Sequence, residues 1–91
     1  MKADVRLNVD TDYVLIEHWL RKLNIEISDD ADVLITDYDL ERIKESKIPV
    51  IVITELHEFW HEDLAVKAWA AYYLVKPVNF NYFKTILNEH I

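Results

Sequence analysis

The stretch Ile48-Pro49-Val50-Ile51-Val52-Ile53-Thr54 is apolar at consecutive positions. In an extended chain successive side chains point to opposite faces, so this run needs cover on both sides. That is the situation of an inner strand in a parallel sheet with helices on each face. The run is far too short to cross a bilayer, which takes about 20 apolar residues.

Other segments fall into place around it. Val5-Arg6-Leu7-Asn8-Val9 alternates apolar and polar and reads as a half-buried strand ending at Asp10. Asp12 is placed to cap a helix from Tyr13 to about Leu23, with Val14, Leu15, Trp19, Leu20 and Leu23 on its apolar face. Asp32 to Asp37 reads as a second strand, and a short helix follows from about Leu40 to Ser46. After the Ile48–Thr54 strand comes a helix between His57 and Ala70, then a strand Tyr72 to Lys76 stopped by Pro77. Asn79 is placed to cap a final helix whose apolar positions are Phe80, Phe83, Ile86, Leu87 and Ile91. Strands alternating with helices predict an α/β domain with a parallel sheet.

The chain has 91 residues, enough for one core, and residues 1–91 read as a single domain. It holds no cysteine, which excludes disulfides and thiolate metal sites, and no glycine, which excludes Gly-rich phosphate loops and dinucleotide fingerprints. A net charge of −7 with no basic run argues against nucleic acid as a partner. Neither a signal-peptide core nor a membrane span is visible, so the expected location is the cytoplasm, away from membranes.

In open parallel sheets, ligands bind beyond the carboxyl ends of the strands. Asp10, Asp37, Thr54 and Lys76 each stand at or near such an end. Two carboxylates, a hydroxyl and an ammonium at one edge suit phosphoryl transfer, in which charge must be stabilised on the moving group. Magnesium, bound by one or two carboxylates, is the fitting cofactor.

Three segments carry a family resemblance: Val33-Leu34-Ile35-Thr36-Asp37, Ile48 to Thr54, and Tyr73-Leu74-Val75-Lys76-Pro77. In this order they resemble the signature segments of response-regulator receiver domains. The resemblance implies a flavodoxin-like (CheY-like) fold: four main parallel strands with helices on both faces. It implies that Asp37 accepts a phosphoryl group from a histidine kinase or phosphotransfer partner. Asp10, Asp37 and the backbone carbonyl of Asp39 would hold Mg2+, with Asp12 as a further candidate ligand. Thr54 and Lys76 would contact the phosphoryl oxygens, and Tyr73 would be the switch aromatic. The domain would be a phosphoacceptor, an enzyme only in its own phosphorylation and dephosphorylation, and would pair or bind partners through its last helix–strand–helix face.

The pattern also departs from the family's. Thr11 stands where a second acid is usual, and Glu55 follows Thr54 where a small residue is usual. Only Asn24 to Ala31 separate the first helix from the Asp37 strand. If residues 25–28 were a full parallel strand, three residues would remain for the return, reaching at most about 10 Å, whereas parallel crossovers usually take a dozen. The second helix is therefore expected to be missing, together with a regular second strand; residues 25–28 should be a loop or a short irregular edge segment. With no helix on that side, the face carrying Arg6 and Asn8 is expected to be open to water. These departures motivate an alternative, a receiver-like module that binds partners or dimerises without phosphorylation.

His57-Glu58-Phe59-Trp60-His61 matches H-E-x-x-H, which on a helix sets two histidines on one face for zinc with Glu58 as base. No third ligand follows, so a zinc hydrolase is the remote alternative. His18 and His90 read as exposed helix residues. Trp60, Trp69, Tyr72 and Tyr82 make the second half aromatic-rich, and most are expected in the core.

Overall fold

The structure is a computed structural model and describes residues 1–89. The expectations for His90 and Ile91 lie outside the described residues. Five strands alternate with four helices: β1 (Lys2–Arg6), α1 (Asp10–Lys22), β2 (Glu26–Ile27), β3 (Val33–Thr36), α2 (Leu40–Glu45), β4 (Val50–Thr54), α3 (Phe59–Lys67), β5 (Tyr72–Val75) and α4 (Phe80–Glu89). All strands are parallel, in the spatial order β2-β1-β3-β4-β5.

The period-2 alternation divides each inner strand between two cores. Val33, Ile35, Ile51 and Ile53 join Ala3, Val5 and Leu74 under α1 and α4, which contribute Ile16, Leu20, Phe83, Ile86 and Leu87. Leu34, Val50 and Val52 face the other way, against Ile43 of α2 and Ala65 of α3. β4 is buried at every residue, as its unbroken apolar run requires. The side chain of Asn79 accepts a hydrogen bond from the Tyr82 N–H at 3.1 Å, the cap that the sequence suggested for α4.

Several boundaries differ from the sequence reading. β1 is Lys2–Arg6, not Val5–Val9, because ladder pairing with β2 or β3 begins at Lys2 and ends at Arg6. Alternation continues through Leu7 and Val9 and does not mark where pairing stops. α1 begins at Asp10, with Val9 at the cap position and no side-chain cap, so Asp12 sits inside the helix. Its buried stripe is Ile16 and Leu20 rather than Val14 and Leu15, which are exposed. Trp60, Trp69 and Tyr82 are also exposed and not core.

No helix lies between β2 and β3, as the short spacing demands. Residues 26–27 nevertheless pair in parallel and in register with β1, so they are ordered edge strand and not loop. Three residues cannot bring the chain back from the top of a second strand as tall as the first, but β2 is not that tall. Two residues rise only ~7 Å at about 3.3 Å each. Ile27 and Val33 are both level with Ala3, on opposite sides of it. The connection therefore only has to step sideways over one strand. Residues 28–32 do so, with the Ser28 N–H donating to the Ala3 carbonyl and the Asp32 N–H to the Lys2 carbonyl, each at 2.9 Å. On the face left without a helix, Arg6 is exposed and pairs with Asp4 at 2.9 Å.

Candidate functional site

The carboxyl ends of β1, β3, β4 and β5 meet at one edge of the sheet. There Asn8, Asp12, Asp37, Thr54, Glu55 and Lys76 line a cleft of about 240 Å³ floored by Leu7 and Ile53. The sequence placed Asp37, Thr54 and Lys76 together, and the fold does bring them to one cleft. Their bonding is less simple.

Asp37 follows the last residue of β3 and is partly buried. Its Oδ1 accepts from Arg42 Nη1 at 3.2 Å and from the Thr36 hydroxyl at 3.4 Å. Its Oδ2 accepts from the Asn8 backbone N–H at 3.1 Å. Both carboxylate oxygens are thus engaged by the chain itself. Arg42 and Asn8 are the two participants that sequence reasoning missed. The one available sign of Arg42 was its spacing: it follows Asp39 by three residues on a short helix, and acid and base at that spacing meet.

Lys76 is not paired with Asp37. Its ammonium is ion-paired with Asp12, and both side chains are about four-fifths shielded from water, at 21% and 20% exposed. The same pair, with Glu55, borders a second, more apolar pocket formed by Leu15, Ile16, Ile53, Pro77 and Val78. Thr54 is buried, and its hydroxyl oxygen accepts from the Leu56 N–H at 3.1 Å. The Tyr73 hydroxyl in turn donates to the Leu56 carbonyl at 2.7 Å. Tyr73 packs edge-on to Tyr38, with ring centroids 6.3 Å apart. Burial, assisted by Tyr38 and Glu62, pushes its phenol up to about 12 from the usual 10. Thr54 and Tyr73 are thus linked through the backbone N–H and carbonyl of Leu56.

The family resemblance implies a magnesium ion, and the donor set can be tested against it. Asp10 opens α1, is exposed, and lies against Thr11, Val14, Leu15 and His18 rather than in the cleft. The turn residue beside Asp37 is Asn8, which contributes its amide. Asp12 is held by Lys76 and Asp37 by Arg42. The Asp39 carbonyl accepts the Ile43 N–H that opens α2, and its carboxylate caps that helix through the Arg42 N–H at 3.1 Å. Among the described residues no group of three His, Cys, Asp or Glu side chains is gathered to hold a metal. Divalent metals of this kind want several oxygens around one point, carboxylates among them. The arrangement does not fit Mg2+: Asp12 and Asp37 are engaged by the chain, Asp10 lies outside the cleft, and Glu55, which lines it, is not gathered with two further ligands among the described residues.

The H-E-x-x-H segment does not form a helical pair. α3 starts at Phe59, so His57 precedes it, while His61 lies within it. His61 stacks on Trp60, with centroids 3.6 Å apart, and meets Tyr38 edge-on at 5.6 Å. The zinc reading needs both histidines on one helical face, and the helix start separates them.

No protein-family model matches this sequence, and no curated protein sequence matches it. Solved structures do. A response regulator from Thermotoga maritima superposes with a TM-score of 0.88 at 16% identity, over 99% of this chain and 96% of that one. The BeF3-activated N-terminal receiver domain of Klebsiella pneumoniae RstA gives 0.89 at 14% identity, over 99% and 97%. A receiver domain from Clostridium thermocellum gives 0.87 at 23% identity, over 99% and 93%. The chain has the receiver-domain fold. A receiver fold puts Asp37, Thr54 and Lys76 at strand ends as the sequence segments implied, and the five-strand order accommodates a β2 of two residues. No helix of the described residues is long and apolar enough to cross a membrane.

Proposed function

We propose that this chain is a receiver-fold signalling module that binds its protein partner without phosphorylation of Asp37. One observation carries the reading: both oxygens of the Asp37 carboxylate already have partners, Arg42 and Thr36 on one and the Asn8 amide on the other. A carboxylate nucleophile needs a cation shared with the incoming phosphoryl group. Here its cation is a side chain of the same protein. The Tyr73 hydroxyl, bonded to the Leu56 carbonyl, already has an acceptor within the chain. The partner surface in this reading is the face of α3, β5 and α4, where Phe59, Trp60, Trp69, Val75 and Tyr82 are exposed. A second copy of the chain is one occupant of that face, and a two-component signalling partner is another.

The test is covalent labelling. The protein is incubated with Mg2+ and a small acyl-phosphate donor beside an ordinary receiver, and each is weighed intact. The expected result is an adduct on the ordinary receiver and none here. A phosphoryl adduct on this chain, absent from Asp37→Asn, would overturn the reading.

A second reading is favoured by one observation, the shared cleft of Asp37, Thr54 and Lys76. In it Asp37 accepts a phosphoryl group from a histidine kinase or phosphotransfer protein, and Thr54 and Lys76 bind its oxygens. That reading requires Arg42 to release Asp37 and Asp12 to release Lys76 before the donor arrives.

A further inference from the structure

Arg42 stands on α2 and turns its side chain back over the carboxyl edge of the sheet. Its Nη1 lies 3.0 Å from Thr36 Oγ1, 3.2 Å from Asp37 Oδ1 and 3.3 Å from the Arg6 carbonyl. Its Nη2 lies 3.7 Å from Asp39 Oδ2. One nitrogen therefore sits among oxygens from two adjacent strands, with a second carboxylate at the rim. Oxygen-rich surroundings bearing carboxylate charge are what a hard divalent cation seeks. The cation they hold here is a guanidinium, which cannot be deprotonated in a protein or removed by a chelator.

We propose that Arg42 is the built-in counter-ion of Asp37, taking the charge-neutralising place of a divalent metal and closing the carboxylate to Mg2+. The inference rests on the phosphorylation-independent reading and gives its cause. The remaining acids do not offset the loss. Asp12 is neutralised by Lys76, Asp10 lies outside the cleft, and Glu55 lines it without two further ligand side chains gathered beside it among the described residues. The pair is only partly exposed, 32% at Arg42 and 25% at Asp37, so it is screened less than a fully exposed pair would be. Because Nη1 also touches the Arg6 carbonyl, the same contact fastens α2 to the end of β1. An incoming metal would have to displace a cation that is covalently attached five residues away, at an effective concentration no dilution lowers.

The Asn8 amide is a built-in reporter, since its N–H is bonded to Asp37 Oδ2. Mg2+ is titrated into uniformly 15N-labelled protein and the Asn8 and Asp37 amide shifts are followed. The wild type is expected to show no saturable change at millimolar Mg2+. Arg42→Gln is expected to bind roughly ten-fold or more tightly than wild type, as loss of one competing charge at contact distance implies. That gain should vanish in Arg42→Gln with Asp37→Asn, and Arg42→Lys, which keeps the charge, should stay near the wild type. Saturable Mg2+ binding at Asn8 of the wild type overturns the proposal, and so does a folded Arg42→Gln that binds no Mg2+. A second measurement serves if the Gln variant does not fold: the Arg42 guanidinium NH signals. They should show faster rotation in Asp37→Asn than in the wild type; identical behaviour in the two overturns the proposal. Phosphodonor labelling of the wild-type chain would defeat the proposed function, whereas the metal titration contains no phosphodonor and fails or stands separately.

Discussion

Tyr73 offers the sharpest test of how the switch region is set. Its phenol donates to the Leu56 carbonyl at 2.7 Å and is packed against Tyr38. Raising the pH removes the donated proton and places a phenolate in a poorly solvated site. The folded phenol is held up to about 12 against an ordinary 10. The folded value lies above the unfolded one, so the contribution is fully present below pH 10 and is lost as pH climbs from 10 through 12. Two pH units at about 1.36 kcal/mol each give an upper bound near 2.7 kcal/mol. The ring is only half-buried, and solvent screening reduces this to about 1 kcal/mol. Tyrosinate ultraviolet absorbance is the assay, read as wild type minus Tyr73→Phe. The subtraction is necessary because the Tyr72 phenol is also raised, by its hydrogen bond to Glu89. Urea unfolding near pH 9 and again near pH 12 should show the wild type losing about 1 kcal/mol more than Tyr73→Phe over that interval. A difference curve centred near pH 10, or equal losses in the two proteins, would refute the placement of Tyr73 as a half-buried donor.

Two further outcomes concern the frame that holds the site. Phe83 is fully buried and its ring lies 5.5 Å from that of Trp19, so Phe83→Ala should lower unfolding free energy by about 3–5 kcal/mol in urea titration; a loss below about 1.5 kcal/mol would mean that α4 is not seated as described. Trp69 follows α3 with φ of 76° while its side chain is 84% exposed, so Trp69→Gly relieves a left-handed backbone at no packing cost and should raise stability by about 1 kcal/mol. No gain on thermal melting would count against the strained conformation at Trp69.

The fold was largely legible. β3 and β4 announce themselves by unbroken apolar runs, and Asp37, Thr54 and Lys76 could be assigned to strand ends without knowing which strands were neighbours. The first strand was harder. Leu7 and Val9 extend the alternation beyond the last paired residue, and α1 begins without a side-chain cap to mark its start. A displacement of three residues followed, and with it Asp10 was expected in the cleft that Asn8 and Asp12 occupy. Arg42 was illegible for another reason: in the sequence it is one charged residue on a short polar helix, and only the return of α2 across β1 and β3 gives it Asp37 as a partner. Spacing finds groups carried by strand ends; it does not find a long side chain that reaches them from a neighbouring helix.

The clasp of residues 28–32 has a consequence for how the chain comes together in time. Adjacent strands meet across short separations: Lys2 with Glu26, Ala3 with Val33, Leu34 with Val50, and Ile51 with Tyr72. The longest of these loops, closed by Ala3 and Val33, is about twice the shortest, and doubling a loop costs only about 0.6 kcal/mol in closure entropy. No pairing is therefore topologically remote, and none acts as a bottleneck by distance along the chain. All of these pairings are non-local and parallel, which places folding in the intermediate range of mixed α/β domains rather than among the fast helical ones. Which strand pair nucleates is then left to side-chain packing, which favours the all-apolar β4 and its neighbours over the polar-faced β1.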